Sequence, residues 1–328
     1  MDNFIFTCGD TNGIGPEISI RAINQLYAPD KYKLFIPIPL NIFEYYIKKN
    51  KSEFPYKVVK KIENTPNSPD IVTIIDLGNV RFDIGRPTRF SGRASYRSIM
   101  KAHDLINRNI CSAMITAPIS KYAWLKGGIQ FPGHTELLAH LSGTKIYSMM
   151  FLSQKFKCAL ATIHEPIAKL PKLITKKKLF ELIQLVEGVC KKELKINSPK
   201  IAVLGLNPHS GENGRIGLEE INKITPAIQQ AAKSGIYVEG PFVPDAFFAM
   251  KMSSKYDVVI GMYHDQLLIP FKMMNFNKGV NFTAGLQMIR TSPDHGTAYD
   301  IAGKFTADIT SILESFKWAR RILKNRKN

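Results

Sequence analysis

Short apolar runs separated by amphipathic stretches set the pattern of this chain. Cys158–Ile163, Ile201–Leu206 and Val258–Tyr263 are almost wholly apolar and too short for core helices. Such runs read as buried strands of a parallel sheet. Phe4–Cys8, Lys33–Ile36, Ile71–Ile75, Cys111–Thr116 and Ile236–Val238 are further strand segments. Between them the apolar positions recur at helical spacing. Pro16 and Glu17 open a helix that runs to about Leu26, because proline followed by an acid suits a first helical turn. Ala94–Ile106 is helical, with Ile99, Ala102 and Ile106 on one face. Thr175–Leu194, Glu219–Ser234, Ala246–Ser253 and Ile309–Leu323 complete the set, and the tail from Lys324 is expected to fray. Strands alternate with helices throughout, which predicts an α/β fold with a mainly parallel sheet.

The first three of these runs share one feature. Each is followed within a few residues by a histidine: His164, His209 and His264. Open α/β sheets bind ligands outside the carboxyl ends of their strands. Three neutral imidazoles at one such edge suit a divalent metal. The bland alternative is three unrelated loop histidines, and the repetition weighs against it.

Composition narrows the classes. The chain has 328 residues, 45% hydrophobic and 22% charged, enough for two α/β lobes with a real core. Its four cysteines are scattered and form no Cys-x-x-Cys pair, so neither a zinc ribbon nor a disulfide framework is expected, and a reducing cytoplasm fits. The N-terminus runs straight into a strand, so no signal peptide is expected. The most apolar stretch, from Leu34 to Phe43, is too short to span a bilayer. Net charge is +18. Without a nucleic-acid-binding signature this reads as lysine-rich surface, whose field also draws in an anionic, phosphorylated small molecule. Neither a nucleic-acid nor a membrane partner is expected.

Several polar segments can carry chemistry. The turn Gly9–Gly15 lacks both the G-x-G-x-x-G fingerprint and the Gly-Lys-Ser/Thr of a P-loop, so it implies only close backbone approach or unusual dihedrals. His134 and Thr135 stand at the start of an apolar helix, with Thr135 a candidate cap, and could hold a phosphate or carboxylate there. The loop Asn207–Gly217 is polar and glycine-rich. Asp245 opens a helix, either as its cap or as a carboxylate near the metal. Lys272, Asn281 and Arg290 are spaced donors that suit an anion. His295 lies outside the strand-end pattern, as a structural histidine or part of an adenine or ribose site.

Together these segments resemble one family. Gly9-Asp10…Gly13-Ile-Gly-Pro-Glu17, Thr116-Ala-Pro-Ile-Ser-Lys121, Gly133-His-Thr-Glu136, Leu206-Asn-Pro-His-Ser-Gly-Glu212, Gly240-Pro…Asp245, Met262-Tyr-His-Asp-Gln266 and Gly279-Val-Asn…Asp294-His-Gly-Thr-Ala298 occur in the order found in the 4-hydroxythreonine-4-phosphate dehydrogenases of pyridoxal-phosphate biosynthesis. The resemblance implies a two-lobed α/β/α fold akin to isocitrate and isopropylmalate dehydrogenases. It implies a first lobe of residues 1–125 plus 296–328 and a second of 126–295, with the active site in the cleft and at a homodimer interface. His164, His209 and His264 fall on metal-ligand positions, for one zinc, magnesium or cobalt ion, with His164 reaching across the dimer and His209 and His264 together. His134, Thr135, Lys272, Asn281 and Arg290 fall on substrate positions. His295, Gly296, Asp300 and Gly303 are similar to an NAD-adenine loop, with NADP the alternative cofactor. Asp245, Asp265 and Lys272 are catalytic candidates for proton transfer or for orienting a histidine.

The implied reaction is oxidation of 4-phosphooxy-L-threonine at C3, followed by loss of CO₂. A dehydrogenase of a phosphorylated four-carbon sugar acid, 4-phospho-threonate or erythronate, is the near alternative. A metal-free acyltransferase or a basic nucleic-acid-binding module is the distant one. Thr11-Asn12 replaces the Pro-Ala expected in the first turn, and the lysine-rich segment Tyr45–Tyr56 looks inserted and peripheral.

Overall fold

A computed structural model describes residues 2–29, 31–62 and 71–328. The chain forms two compact units, residues 1–140 with 287–323 and residues 141–286 with 324–328. The sequence had placed the divisions at 125/126 and 295/296.

The first unit runs β1 (Asp2–Phe6), α1 (Gly15–Leu26), β2 (Tyr32–Ile38), α2 (Leu40–Lys49), β3 (Tyr56–Val59), β4 (Val72–Asp76), α3 (Arg89–Asn107), β5 (Ala113–Ile115), α4 (Lys121–Lys126) and α5 (His134–Leu141). The second holds β6 (Ser148–Leu152), β7 (Lys157–Leu160), α6 (Leu170–Leu173), α7 (Lys176–Lys192), β8 (Ile201–Leu204), α8 (Thr225–Lys233), β9 (Val238–Phe242), α9 (Pro244–Ala249), β10 (Val258–Gly261), α10 (His264–Asn275) and β11 (Val280–Ala284). β12 (Ile289–Pro293) and most of α11 (Thr310–Lys327) belong to the first.

In the first unit the strands lie in the order β3-β4-β2-β1-β5-β12, all parallel. In the second the order is β11-β6-β7-β10-β8-β9. There β6 runs antiparallel to both neighbours, and β7, β10, β8 and β9 are parallel. The mainly parallel α/β expectation holds. No helix among the described residues is long and apolar enough to cross a membrane.

Local chemistry explains where elements start and stop. Pro16 and Glu17 open α1 as read from sequence, and Glu17 also accepts a hydrogen bond from the Ala307 amide at 3.0 Å. α3 begins at Arg89, ahead of the expected Ala94, because Thr88 and Ser91 form a capping box. Thr135 does not cap α5: the helix already includes His134, so Thr135 sits buried in the first turn. The tail does not fray. Arg326 pairs with Glu193 through Nε and Nη2 at 2.7 and 2.8 Å, and α11 continues to Lys327. The segment Tyr45–Tyr56 is not merely peripheral. Its first half lies in α2, where Tyr46 is fully buried beside Phe43.

Candidate active site

In the second unit β7, β10 and β8 are consecutive neighbours, and they are the strands that precede His164, His264 and His209. All three are buried apart from Lys157, half-buried at the start of β7. Phe151, Phe156, Phe247, Leu267 and Phe271 pack against them in one core cluster. Side chains tie their carboxyl ends together. Thr162 Oγ1 donates to the Met262 carbonyl at 2.6 Å. Gln266 Oε1 accepts from the Met262 amide at 2.6 Å, and its Nε2 donates to the Gly205 carbonyl at 2.7 Å. Thr162 and Gln266 therefore fix the relative register of the three histidine-bearing segments.

The rings of His164 and His264 lie 5.8 Å apart. At Zn–N distances of about 2.0–2.1 Å, two imidazoles on one ion have ring centres roughly 5–6 Å apart. Asp265 Oδ1 binds His264 Nδ1 at 2.6 Å, which leaves Nε2 for a ligand, the usual outer partner of a metal-binding imidazole. The donor set thus fits a divalent ion, but only in part. Among the described residues no group of three His, Cys, Asp or Glu gathers closely enough to hold one. Within one chain His164 and His264 are brought together.

His209 sits on an unusual turn. Pro208–Gly214 coils left-handed: His209, Ser210, Gly211, Glu212 and Asn213 have φ of 51°, 50°, 79°, 41° and 54°. Left-handed helical backbone costs about 1–2 kcal/mol per ordinary residue, so something must hold it. The buried Glu220 does, through the amides at its base. In the sequence this residue reads as one more acid in a helical segment. That segment opens instead with a π-helical turn, Glu220–Ile224. Its neighbour Glu219 has its carboxyl lowered below the usual range, chiefly by the Asn207 side chain that donates to it.

In the first unit a second group forms. Arg290, only 3% exposed, lies on β12, and its Nε donates to Thr116 Oγ1 at 2.9 Å. Burial lowers its pKa to about 9, opposed by the charge of Glu136, so it stays cationic at neutral pH. Burial, and then the charge of Arg290, push His134 well below the ordinary imidazole value. His134 Nε2 is buried without a hydrogen-bond partner. A buried guanidinium beside a neutral imidazole with an open nitrogen forms a receptor for an anion.

This pair has a consequence for stability. Unfolded His134 takes up a proton near pH 6.5, whereas the folded residue does so only at lower pH. Below about pH 6.5 the unfolded state therefore binds more protons, and stability falls with pH. The thermal midpoint should decline between pH 7 and 5.5, and the decline should be shallower in His134→Gln. Equal slopes would remove the buried imidazole as its cause.

The glycine-rich turn Gly9–Gly15 approaches backbone. Ile14 N donates to the Thr297 carbonyl at 3.0 Å, and a Cβ on Gly13 would lie 2.7 Å from that oxygen. The turn thereby seats the loop that carries His295, Gly296, Asp300 and Gly303. His295 is exposed, with Nδ1 3.1 Å from the Gly296 carbonyl. Asp245 is exposed in the first turn of α9 and does not cap it, the cap position being Val243. Lys272 is exposed on α10, and Asn281 is half-buried on β11 opposite Phe151. Both lie in the second unit, and His134, Thr135 and Arg290 in the first.

The strand order and directions define a class: two-unit α/β proteins with a mainly parallel sheet. Within that class the sequence matches "Pyridoxal phosphate biosynthetic protein PdxA" over residues 34–319. The chain belongs to the PdxA family. It is 39% identical to a 4-hydroxythreonine-4-phosphate dehydrogenase of Trichlorobacter lovleyi, covering 98% of this chain and 97% of that one. A protein of Oceanobacillus iheyensis provisionally assigned as a D-threonate 4-phosphate dehydrogenase is also 39% identical, over 95% of each chain. The crystal structure of a 4-hydroxythreonine-4-phosphate dehydrogenase from Klebsiella pneumoniae superposes with a TM-score of 0.84 at 33% identity, over 98% of each chain.

Proposed function

We propose that this protein is a 4-hydroxythreonine-4-phosphate dehydrogenase of pyridoxal 5'-phosphate biosynthesis. It oxidises the C3 hydroxyl of 4-phosphooxy-L-threonine with NAD⁺. The product, 2-amino-3-oxo-4-phosphooxybutanoate, loses CO₂ to give 3-amino-2-oxopropyl phosphate. Family membership gives the reaction class, and the observation that carries the site is the row of imidazole-bearing strand ends, with Asp265 on the central one.

Each residue has a part in this reading. Arg290 and His134 receive the anionic end of the substrate, and Thr135, Lys272 and Asn281 complete its binding. Fixing both ends of a small substrate sets C3 against the nicotinamide, which accepts the hydride. His164, His209 and His264 hold a divalent ion, zinc before cobalt or magnesium for an all-imidazole set. When bound there, such an ion would supply Lewis acidity to the oxidation and the decarboxylation. Asp265 orients His264 through Nδ1. Asp245 or Lys272 takes the hydroxyl proton. The loop of His295, Gly296, Asp300 and Gly303 holds the adenine end of NAD. The four cysteines are buried and none is joined in a disulfide, in keeping with a reducing cytoplasm.

The third imidazole comes from a second copy. α10 begins at His264 and exposes Ile269 and Met273, and Phe276 follows at its end; Met273 and Phe276 are each 83% exposed. Large apolar side chains grouped in this way mark an interface, here on the helix that starts with a metal ligand. Sedimentation should find a dimer, and Met273→Glu/Phe276→Glu should sediment as a monomer with most activity lost. A double variant that stays dimeric would remove α10 from the interface.

The deciding assay follows NADH formation from 4-phosphooxy-L-threonine beside 4-phospho-D-threonate and 4-phospho-D-erythronate. The first should turn over fastest. Faster turnover of threonate phosphate would favour the reading suggested by the Oceanobacillus relative, and no NADH from any would end the dehydrogenase reading.

A further inference from the structure

We propose that Glu220 is a positioning residue: its buried carboxylate sets the left-handed turn Pro208–Gly214 and so aims His209. The inference rests on the reading of His209 as a metal ligand. Glu220 is 3% exposed. Its Oε1 accepts from the amides of Leu206 at 2.7 Å and Asn207 at 2.8 Å. Its Oε2 accepts from Asn207 Nδ2 at 2.9 Å. Three donors from the base of the turn therefore converge on one carboxylate.

The surrounding glycines make room for it. A Cβ on Gly211 would lie 2.7 Å from Glu220 Oε2, and one on Gly205 3.2 Å from Oε1. Glu219 Oε2 holds the same Asn207 amide at 2.8 Å, so the two acids grip one side chain. The π-helical turn that starts at Glu220 shifts the helix by one residue there, a feature found often at functional sites. Strained backbone persists only where its surroundings over-determine it. Without the carboxylate, Leu206 and Asn207 lose their acceptor and the turn can relax toward right-handed geometry. His209, exposed at its start, then leaves its direction.

The test titrates the metal-stripped dimer with Co²⁺, whose visible absorption reports imidazole ligation. Glu220→Ala should bind Co²⁺ roughly 10–100-fold more weakly, the range seen when a ligand's outer partner is lost. Glu220→Gln keeps an acceptor for the two amides and should fall between. A control, Glu53→Gln, should bind as the unaltered protein does. In both Glu220 variants kcat should fall while KM for the phosphorylated substrate holds, and excess Co²⁺ should restore part of kcat. Unchanged Co²⁺ affinity in folded Glu220→Ala overturns the proposal. Should that variant not fold, unchanged affinity in Glu220→Gln overturns it. If the unaltered protein binds no Co²⁺, the metal reading fails by itself, and the turn is judged by amide hydrogen exchange over residues 206–213. Faster exchange in Glu220→Gln supports the role, and unchanged exchange refutes it.

Discussion

Alanine at His209 or His264 should lower NADH formation by at least about a thousandfold, and exhaustive chelation should do the same to the unaltered protein. Lewis-acid stabilisation is worth several kcal/mol, and about 4 kcal/mol is a thousandfold in rate. The two variants carry a further expectation, because His164 and His264 of one chain lie 5.8 Å apart and the third imidazole is proposed to come from a second copy. If His209 serves the site of the other copy, a heterodimer of His209→Ala and His264→Ala contains one site with both defects and one intact. Random exchange in a two-fold dimer then returns about a quarter of full activity. Mixing two inactive proteins should thus restore NADH formation, and re-isolated homodimers should lose it again. No recovery from a mixture shown to contain heterodimer would put both imidazoles in one copy.

The strand ends were legible in the sequence for a physical reason. Apolar runs identify buried strands, and a residue just past such a run lies at a sheet edge. β7, β8 and β10, with their histidines, were legible for that reason. Strand order was not legible, because it depends on which faces pack. β10 is inserted between β7 and β8 although it comes last in sequence, so His264 is central and the other two flank it. β6 and β11 were missed as strands, and they are the antiparallel element.

Capping chemistry misled at Thr135 and was overlooked at Thr88, where Ser rather than Glu completes the box. The acids at 219 and 220 carry no local signal, since their role depends on amides more than ten residues away. Asn12, a departure from the family pattern, is explained by the fold. Its Nδ2 donates to the Arg86 carbonyl at 2.7 Å and to Thr88 Oγ1 at 3.1 Å, and its Oδ1 accepts from the Asp83 amide at 3.0 Å. An alanine there could make none of these.

Arg290→Met should separate binding from stability more sharply than any other single change. A buried guanidinium committed to an anion loses about 2–5 kcal/mol of binding when truncated, or roughly 30- to 5,000-fold in kcat/KM. The loss should fall mainly on KM for the phosphorylated substrate. Arg290→Lys should not restore it, because a point charge cannot keep the Nε contact with Thr116 and still present a fork to the ligand. The ligand-free protein should respond in the opposite sense. Arg290 is held where burial disfavours its charge, and an apolar side chain of similar length removes that penalty. The thermal midpoint of Arg290→Met should therefore hold or rise without substrate. His134, freed from the neighbouring positive charge, should titrate closer to the ordinary imidazole value. A side chain present only for packing would lose stability and leave KM alone. One kept for its charge weakens binding while the empty fold gains, so measuring midpoint and KM on the same preparation decides between them.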